Sequence, residues 1–203
     1  MIAIVDYGVG NLFSLSSSLK SLGLETEITR DPSALRSADR VILPGVGAFG
    51  DARKKLEDTG LVPVLREEAR RKPLLGICLG MQLLFDRSFE YGEHDGLHLI
   101  SGEVADLRED LADPALKVPH MGWNSLHIVK DDPLFRYFQD GEYVYYVHSF
   151  YARNCDAATL GVSRYGNVSV TGAVRSGNVY GTQFHPEKSG SAGLRLLRAF
   201  SEL

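Results

Sequence analysis

Short apolar runs alternate with stretches of helical periodicity through the first half of the chain. The apolar runs have the length and side-chain types of buried strands, and they are IAIVD, LETEIT, DRVILP and PLLGIC. Strands that alternate with helices are typical of a parallel sheet covered by helices on both faces. The pattern therefore predicts an α/β fold with a central, mostly parallel sheet flanked by helices.

Leucine spacing marks the first helix of this half. The leucines recur every three or four positions, which predicts a helix from about residue 11 to residue 22. Residues 51–71 also show helical spacing, but Gly60 and Pro63 interrupt it and indicate two short helices. Helical spacing returns over residues 192–203, where we expect a final helix that packs on the sheet.

The pattern changes after Gly92, where helix-length periodicity disappears. Short strand-like runs follow one another between turn residues, namely GEVADL, NSLHIV, EYVYYVHSF, TLGVSRY, VSVTGAV and NVYGTQF. Such runs are typical of antiparallel strands. Because no linker, repeat or low-complexity segment divides the 203 residues, we expect one domain over residues 1–203 with a strand-rich, antiparallel second half.

Composition narrows the classes of function. The formal net charge is −4, which provides no positive field to attract nucleic acid or an anionic membrane. No apolar run approaches the roughly 20 residues that span a bilayer, and the N-terminal MIAIVDYGVGN lacks the features of a signal peptide. We therefore expect a cytoplasmic protein. The two cysteines, Cys78 and Cys155, lack the paired spacing of a metal site, so neither a metal nor a cofactor is expected.

Cys78 lies where the run PLLGIC meets a helical pattern, in the segment Gly76-Ile77-Cys78-Leu79-Gly80. A nucleophile between a strand and a helix, with a glycine two positions away on each side, is typical of a nucleophile elbow. Such a turn strains the backbone of the central residue and exposes its side chain at the carboxyl end of the sheet, over a helix N-terminus that favours a thiolate. The alternative is a buried cysteine that only fills the core.

A cysteine nucleophile requires a base and a group that orients the base. The segment Phe184-His185-Pro186-Glu187 supplies both. Proline favours an extended conformation for the residue before it, so His185 and Glu187 are expected two apart on an extended segment, projecting to the same side. A plain strand exit with a solvated glutamate is the alternative for this segment.

A glycine-rich stretch follows the run DRVIL, and residues 45–50 of it, GVGAFG, satisfy G-x-G-x-x-G. A dinucleotide-binding loop is one interpretation, but that motif normally follows the first strand and is paired with an acidic residue at the end of the next. Here it follows the third strand, and the next ends in Cys78. We favour a loop whose backbone N–H groups stabilise developing negative charge.

These segments together resemble the triad-type, or class I, glutamine amidotransferases. The family resemblance rests on GICLGMQ around Cys78 and HPEKS around His185. DYGVGN, LPGVGAFG, VPHMGWN and YYVHSFY are similar to one branch of the family, the glutaminase subunits that act with a separate (β/α)8 barrel cyclase in histidine biosynthesis. Recognisable segments extend from residue 6 to residue 189.

The resemblance implies glutamine as the substrate and a role for each part of the site. Cys78 would attack the side-chain amide, His185 would protonate the departing ammonia, and Glu187 would orient His185. Backbone N–H groups would hold the oxyanion, and the resemblance assigns them to Val46, Gly47 and Leu79. The residues implied for binding the amino-acid end of glutamine are Gly45, Gln82, Glu90, Ser149 and Phe150.

The resemblance also implies a partner. A triad glutaminase domain accounts for nearly all 203 residues, so we expect the ammonia to pass into a separate barrel subunit. The residues implied for that interface are Asn11, Trp123 and Lys188, although Asn11 also fits a helix N-cap, Trp123 the core and Lys188 a solvated charge. The alternatives for function are a glutaminase subunit of another synthase, such as one that makes pyridoxal phosphate, a cysteine peptidase-like hydrolase, and a nucleotide-binding module.

Overall fold

A computed structural model describes all residues from 1 to 203. Its strands are β1 (Ile2–Val5), β2 (Thr26–Thr29), β3 (Arg40–Gly45), β4 (Leu74–Cys78), β5 (Arg87–Ser88), β6 (His94–Asp95), β7 (Glu103–Asp106), β8 (His120–Ser125), β9 (His127–Ile128), β10 (Tyr143–His148), β11 (Phe150–Arg153), β12 (Thr159–Tyr165), β13 (Val168–Ser176) and β14 (Val179–Thr182). Its α-helices are α1 (Leu12–Ser21), α2 (Pro32–Ser37), α3 (Phe49–Asp58), α4 (Val62–Glu68), α5 (Leu79–Gln82), α6 (Leu107–Asp110) and α7 (Gly190–Phe200).

The largest sheet has eight strands in the order β2-β1-β3-β4-β14-β13-β12-β9. The first five strands in this order, β2, β1, β3, β4 and β14, pair in parallel with one another. The pairs from β14 to β13, β13 to β12 and β12 to β9 are antiparallel. β14 thus comes from the strand-rich second half of the chain but pairs in parallel with β4, with Thr182 opposite Ile77. The expected α/β fold is confirmed, and so is the change of strand direction in the second half.

Helices cover both faces of this sheet because its central strands are apolar on both sides. On β1, Ile2 and Ile4 face one core, while Ala3 and Val5 face the other. The first core also receives apolar residues from α1 and α7, and the second from α2, α3 and α4. The arrangement holds the carboxyl ends of the parallel strands together along one rigid edge.

Two smaller sheets are built from the second half of the chain. β8 and β10 form an antiparallel pair in which Trp123 lies opposite Tyr145. The other sheet has the order β11-β7-β5-β6. The β8–β10 pair lies close to the carboxyl edge of the large sheet, because the Tyr145 carbonyl accepts a 2.9 Å hydrogen bond from the His185 N–H. The other sheet is held at the same edge, because the Phe150 carbonyl of β11 accepts a 2.9 Å hydrogen bond from the Gln82 side chain.

Two details of the helices were not predicted, and one prediction is confirmed. α2 was not predicted, although Asp31 caps it through a 2.8 Å bond from the Ser33 N–H and Pro32 occupies its first turn. The two short helices predicted within residues 51–71 are present as α3 and α4, and Pro63 lies in the first turn of α4, where a proline loses no helical hydrogen bond. The helix after Cys78 is only the single turn α5. None of the helices combines the length and apolar character that a membrane span requires.

Candidate active site

Cys78 lies at the point where β4 turns into α5. Its backbone has φ 54° and ψ −114°, a conformation that non-glycine residues rarely adopt, as expected for a nucleophile elbow. A Cβ on Gly80 would lie 1.9 Å from the Leu43 carbonyl oxygen, and one on Gly76 would lie 2.6 Å from the Gly80 carbonyl oxygen. Both flanking glycines are therefore required by close backbone packing.

The parallel pairing of β14 with β4 brings the histidine to the cysteine. Because Thr182 lies opposite Ile77, the chain that leaves β14 continues past the end of β4. Cys78 and His185 face one cavity of about 300 Å³. The residues that line this cavity are Val46, Gly47, Cys78, Leu79, Gln82, Glu90, Pro119, Val147, His148, Ser149, Phe150 and His185.

His185 and Glu187 form a buried pair. The His185 Nδ1 atom and the Glu187 Oε1 atom are 2.9 Å apart, and both side chains are almost fully shielded from solvent. The expected extended segment through Glu187 was wrong, since Pro186–Lys188 is a single 3-10 turn that brings the carboxylate back to the ring. This contact fixes the imidazole orientation and leaves Nε2 as the other ring nitrogen, buried without a hydrogen-bond partner.

The surroundings of His185 favour its protonated form. Burial lowers the pKa of His185, but the neighbouring Cys78 sulfur and the Glu187 carboxylate outweigh burial. Together they raise the pKa to about 9. At neutral pH the ring therefore holds a proton that it can give to a leaving group.

The loop after β3 forms one wall of the cavity. The backbone N–H groups of Val46 and Gly47 donate no hydrogen bond within the chain. Leu79 is the first residue of α5, so its N–H has no acceptor inside the helix. The base of the loop is fixed by the Tyr7 hydroxyl, which donates to the Pro44 carbonyl at 2.7 Å. Val46, Gly47 and Leu79 all line the cavity that Cys78 faces, so their N–H groups are available to an oxyanion that forms beside the sulfur.

Glu90 closes another side of the cavity. Its Oε2 atom accepts a 2.7 Å hydrogen bond from the Phe49 N–H at the start of α3. Burial raises the pKa of its carboxyl group, and the Phe49 N–H opposes that rise. A carboxylate therefore occupies the helix N-terminus where a dinucleotide phosphate would bind, which argues against a nucleotide-binding loop at residues 45–50.

Four of the five residues implied for glutamine binding line the main cavity, and they are Gln82, Glu90, Ser149 and Phe150. Gly45 is displaced from it and lines a much smaller cavity behind His185 and Glu187. Asn11 lines the same small cavity and also caps α1, with its Oδ1 atom accepting from the Ser14 N–H at 3.3 Å. Asn11 thus has the N-cap role that was its alternative.

Sequence reasoning missed Pro119, Val147 and His148 as cavity residues. The sequence gives His148 no functional role, yet its Nδ1 atom lies 2.9 Å from the Phe150 carbonyl oxygen. Its position at the last residue of β10, next to the segment at Ser149, was the available signal. Cys155 is outside the site, because its buried sulfur contacts only the hydroxyls of Thr159 and Thr171.

The family described as "Glutamine amidotransferase class-I" matches residues 3–202. The chain belongs to the class I glutamine amidotransferases. This confirms the resemblance that GICLGMQ and HPEKS indicate, and it explains why this amidotransferase has its cysteine at a strained turn beside a buried His–Glu pair.

Curated relatives of this amidotransferase carry a more specific name. "Imidazole glycerol phosphate synthase subunit HisH" of Bacillus cereus is 50% identical over 201 residues, covering 98% of this chain and 93% of the relative. The protein of the same name from Wolinella succinogenes is 46% identical and is covered in full, as is this chain. The branch of the family indicated by the sequence is therefore confirmed.

Solved structures support the amidotransferase fold. A structure titled "Crystal structure of glutamine amidotransferase" has a TM-score of 0.75 at 21% identity and covers all of this chain and 98% of the other. The structure of PurLQS from Thermotoga maritima has a TM-score of 0.74 at 21% identity, with 99% and 97% covered. At this identity the similarity shows the shared fold.

Proposed function

We propose that this chain is the glutaminase subunit of an imidazole glycerol phosphate synthase. The observation that carries the proposal is the position of Cys78, strained at the end of β4 and facing one cavity with His185, whose ring is bonded to Glu187. Relatives with that subunit's name, about half identical over nearly the whole chain, support the specific assignment. The chain therefore hydrolyses glutamine in the synthesis of histidine.

The first half of the reaction releases ammonia. The Cys78 sulfur bonds to the side-chain carbonyl carbon of glutamine, and the carbonyl electrons move onto the oxygen. N–H groups of Leu79 and of the Val46 and Gly47 loop stabilise that oxyanion. When the carbonyl reforms, the carbon–nitrogen bond breaks and His185 gives its Nε2 proton to the departing nitrogen, leaving a thioester and ammonia.

The second half restores the enzyme. His185, now neutral, takes a proton from a water molecule as that water attacks the thioester carbonyl. The carbon–sulfur bond breaks, glutamate leaves, and the sulfur and imidazole return to their starting charges. Gln82, Glu90 and the backbone at Ser149 and Phe150 are proposed to hold the amino-acid end of glutamine.

An exposed apolar face beside the cavity is the proposed docking surface for a (β/α)8 barrel cyclase. Alternate residues of β8 and β10 point outward, and Met121, Trp123 and Tyr143 are each more than half exposed. Val147 belongs to the same outward set and lines the cavity, so the face reaches the place where ammonia forms. A partner bound there would receive ammonia before water protonates it.

Lys188 lies beside the aromatic residues of this surface. The Lys188 Nζ atom lies 6.0 Å from the centre of the Tyr145 ring, and that ring also packs edge-on against Trp123. We propose Lys188 and Trp123 as contacts of the barrel subunit. We propose that Asn11, at the start of α1, lies near the route that ammonia takes to that subunit. We further propose that residues 1–203 act as one domain and that the protein works in the cytoplasm.

A coupled assay tests this function. Hydrolysis of glutamine by the isolated chain should be weak, and it should rise at least roughly tenfold when the barrel subunit and its nucleotide ligand are present. Trp123→Ala should weaken association with that subunit by roughly 30-fold or more, because a half-exposed tryptophan is the largest apolar group on the face. Glutamate release and binding affinity are the two measurements.

Ile28→Ala is the matched control. Ile28 is 43% exposed on β2, at an edge of the large sheet away from β8 and β10. The Ile28→Ala variant should bind the barrel subunit with the same affinity as the wild type. Fast, partner-independent hydrolysis, or equal weakening by both substitutions, would reject the proposed partner surface.

A further inference from the structure

Gln183 is a buried polar residue that the mechanism above does not use. It follows β14, its side chain is inaccessible to solvent, and its Nε2 atom lies 3.8 Å from the Cys78 sulfur. An amide can present either an NH₂ group or an oxygen to a neighbour, and the two choices have opposite effects on a thiolate. The orientation therefore has to follow from the other contacts of Gln183.

The Phe150 carbonyl settles that orientation. A carbonyl oxygen only accepts hydrogen bonds, so Gln82 must direct its Nε2 atom at it, at 2.9 Å. The same Nε2 atom lies 3.0 Å from Gln183, and its second hydrogen needs an acceptor there. Gln183 consequently presents Oε1 to Gln82, and its NH₂ group faces the sulfur.

A histidine pair supports the same polarity from the other side. His148 must donate from Nδ1 to the Phe150 carbonyl, so its Nε2 atom accepts from His120 Nδ1 at 2.9 Å. Burial lowers the pKa of His148 to about 3 and that of His120 to about 4, which keeps both rings neutral and able to accept. Both acceptor positions of the Phe150 oxygen are thus occupied by donors.

We propose that Gln183 is a catalytic residue that donates a hydrogen bond to the Cys78 thiolate. A donor directed at a buried anion stabilises the anion over the neutral thiol, and low local polarity strengthens the effect. The sulfur also lies 3.9 Å from the Val147 carbonyl oxygen, an acceptor that can only favour the thiol. Gln183 offsets that acceptor. This inference deepens the proposed function. It rests on that function only in assuming that the Cys78 thiolate attacks glutamine.

The titratable groups around the sulfur come from several elements. His185 follows β14 and is paired with Glu187, while Tyr7 follows β1. Glu90 and His148 face the same cavity. The experiment leaves all of these groups unchanged.

The test is the pH dependence of Cys78 alkylation by iodoacetamide in the full chain, followed on the Cys78 peptide by mass spectrometry. Gln183→Met keeps the length of the side chain and removes the donor. The midpoint of the alkylation profile should rise by about one to two pH units relative to the wild type. At a pH below both midpoints, alkylation should be roughly tenfold slower or more.

Thr182→Val is the matched control. Thr182 is equally buried on β14, and its hydroxyl donates to the Phe184 carbonyl at 3.1 Å, away from the sulfur. Its alkylation midpoint should equal that of the wild type. The proposal is overturned if Gln183→Met leaves the midpoint unchanged, or if Thr182→Val raises it equally. Because alkylation needs no glutamine, failure of the proposed function would instead appear as alkylation without glutamine hydrolysis.

Gln183→Glu covers the case in which the methionine variant does not fold. The glutamate side chain has the same shape but replaces the NH₂ group by an oxygen that opposes the thiolate. The alkylation midpoint should rise by at least as much as expected for methionine. An unchanged midpoint in this folded variant would overturn the proposal.

Discussion

Cys78→Ala should reduce glutamine hydrolysis by roughly 10⁴-fold or more, because no other group near the cavity can form the thioester. The remaining triad residues, His185 and Glu187, lose their function together with the sulfur. In a complex with the proposed barrel subunit, formation of imidazole glycerol phosphate should continue when ammonium salt replaces glutamine. The reason is that the substitution leaves the site that uses ammonia intact. Glutamate release and ammonium-dependent product formation are measured on the same complex.

Cys155→Ala is the control for this substitution. It shows whether removing any buried cysteine lowers hydrolysis, or only removing the nucleophile. Cys155 is also buried and its sulfur contacts only Thr159 and Thr171, so this variant should hydrolyse glutamine at the wild-type rate. If Cys78→Ala eliminated both the glutamine-dependent and the ammonium-dependent reactions, Cys78 would be a structural residue. Retained hydrolysis in Cys78→Ala would remove it from the mechanism.

Gly80→Ala should lower the free energy of unfolding by about 3 kcal/mol or more, or prevent folding. The new Cβ would lie 1.9 Å from the Leu43 carbonyl oxygen, which is backbone and cannot rotate away. β3 and β4 cannot separate to make room without breaking their parallel pairing, in which Leu43 lies opposite Gly76. Chemical denaturation of the purified variant measures the loss.

Gly50→Ala is the comparison for this substitution. Gly50 is in α3, and its new Cβ would approach the tip of the His94 ring, a side chain that can move. Alanine also favours a helix over glycine, so the free energy of unfolding should change by no more than about 1 kcal/mol in either direction. Equal losses for both substitutions would show that close packing at the turn is not what requires Gly80.

Local sequence features were sufficient to predict the parts of the fold set by local interactions. β1, β3 and β4 are continuous apolar runs, and the strained turn at Cys78 was predicted from a nucleophile with a glycine two positions away on each side. The helix α2 also had local signals in Asp31 and Pro32, which were overlooked because α2 is only six residues long and buries a single leucine.

Other features depend on pairings that periodicity does not encode. The sequence around β14 resembles its antiparallel neighbours, and only its insertion beside β4 brings His185 to Cys78. The inward contacts of His148 and Gln183 arise in the same way, from segments that meet at the carboxyl edge. The spacing around Cys78 and the segment from His185 to Glu187 indicated the triad residues from the sequence, and the resemblance to a known family then supported them.

The His185–Glu187 pair shows how a correct pairing can rest on a wrong conformation. Alternation along an extended strand would place two residues two apart on one side, whereas the structure uses a 3-10 turn beginning at Pro186. The 2.9 Å contact results from that turn. Sequence spacing therefore predicted which groups meet, while the backbone path depended on the proline.

Covalent labelling of the wild-type chain with an electrophilic glutamine analogue tests most directly whether the Cys78 sulfur attacks glutamine. The labelled residue is mapped by mass spectrometry. We expect one adduct, on Cys78, whose formation slows when glutamine is added, and no adduct on Cys155, which does not line the cavity. Labelling of another residue, or labelling of Cys78 that glutamine does not slow, would contradict the claim that this sulfur attacks glutamine.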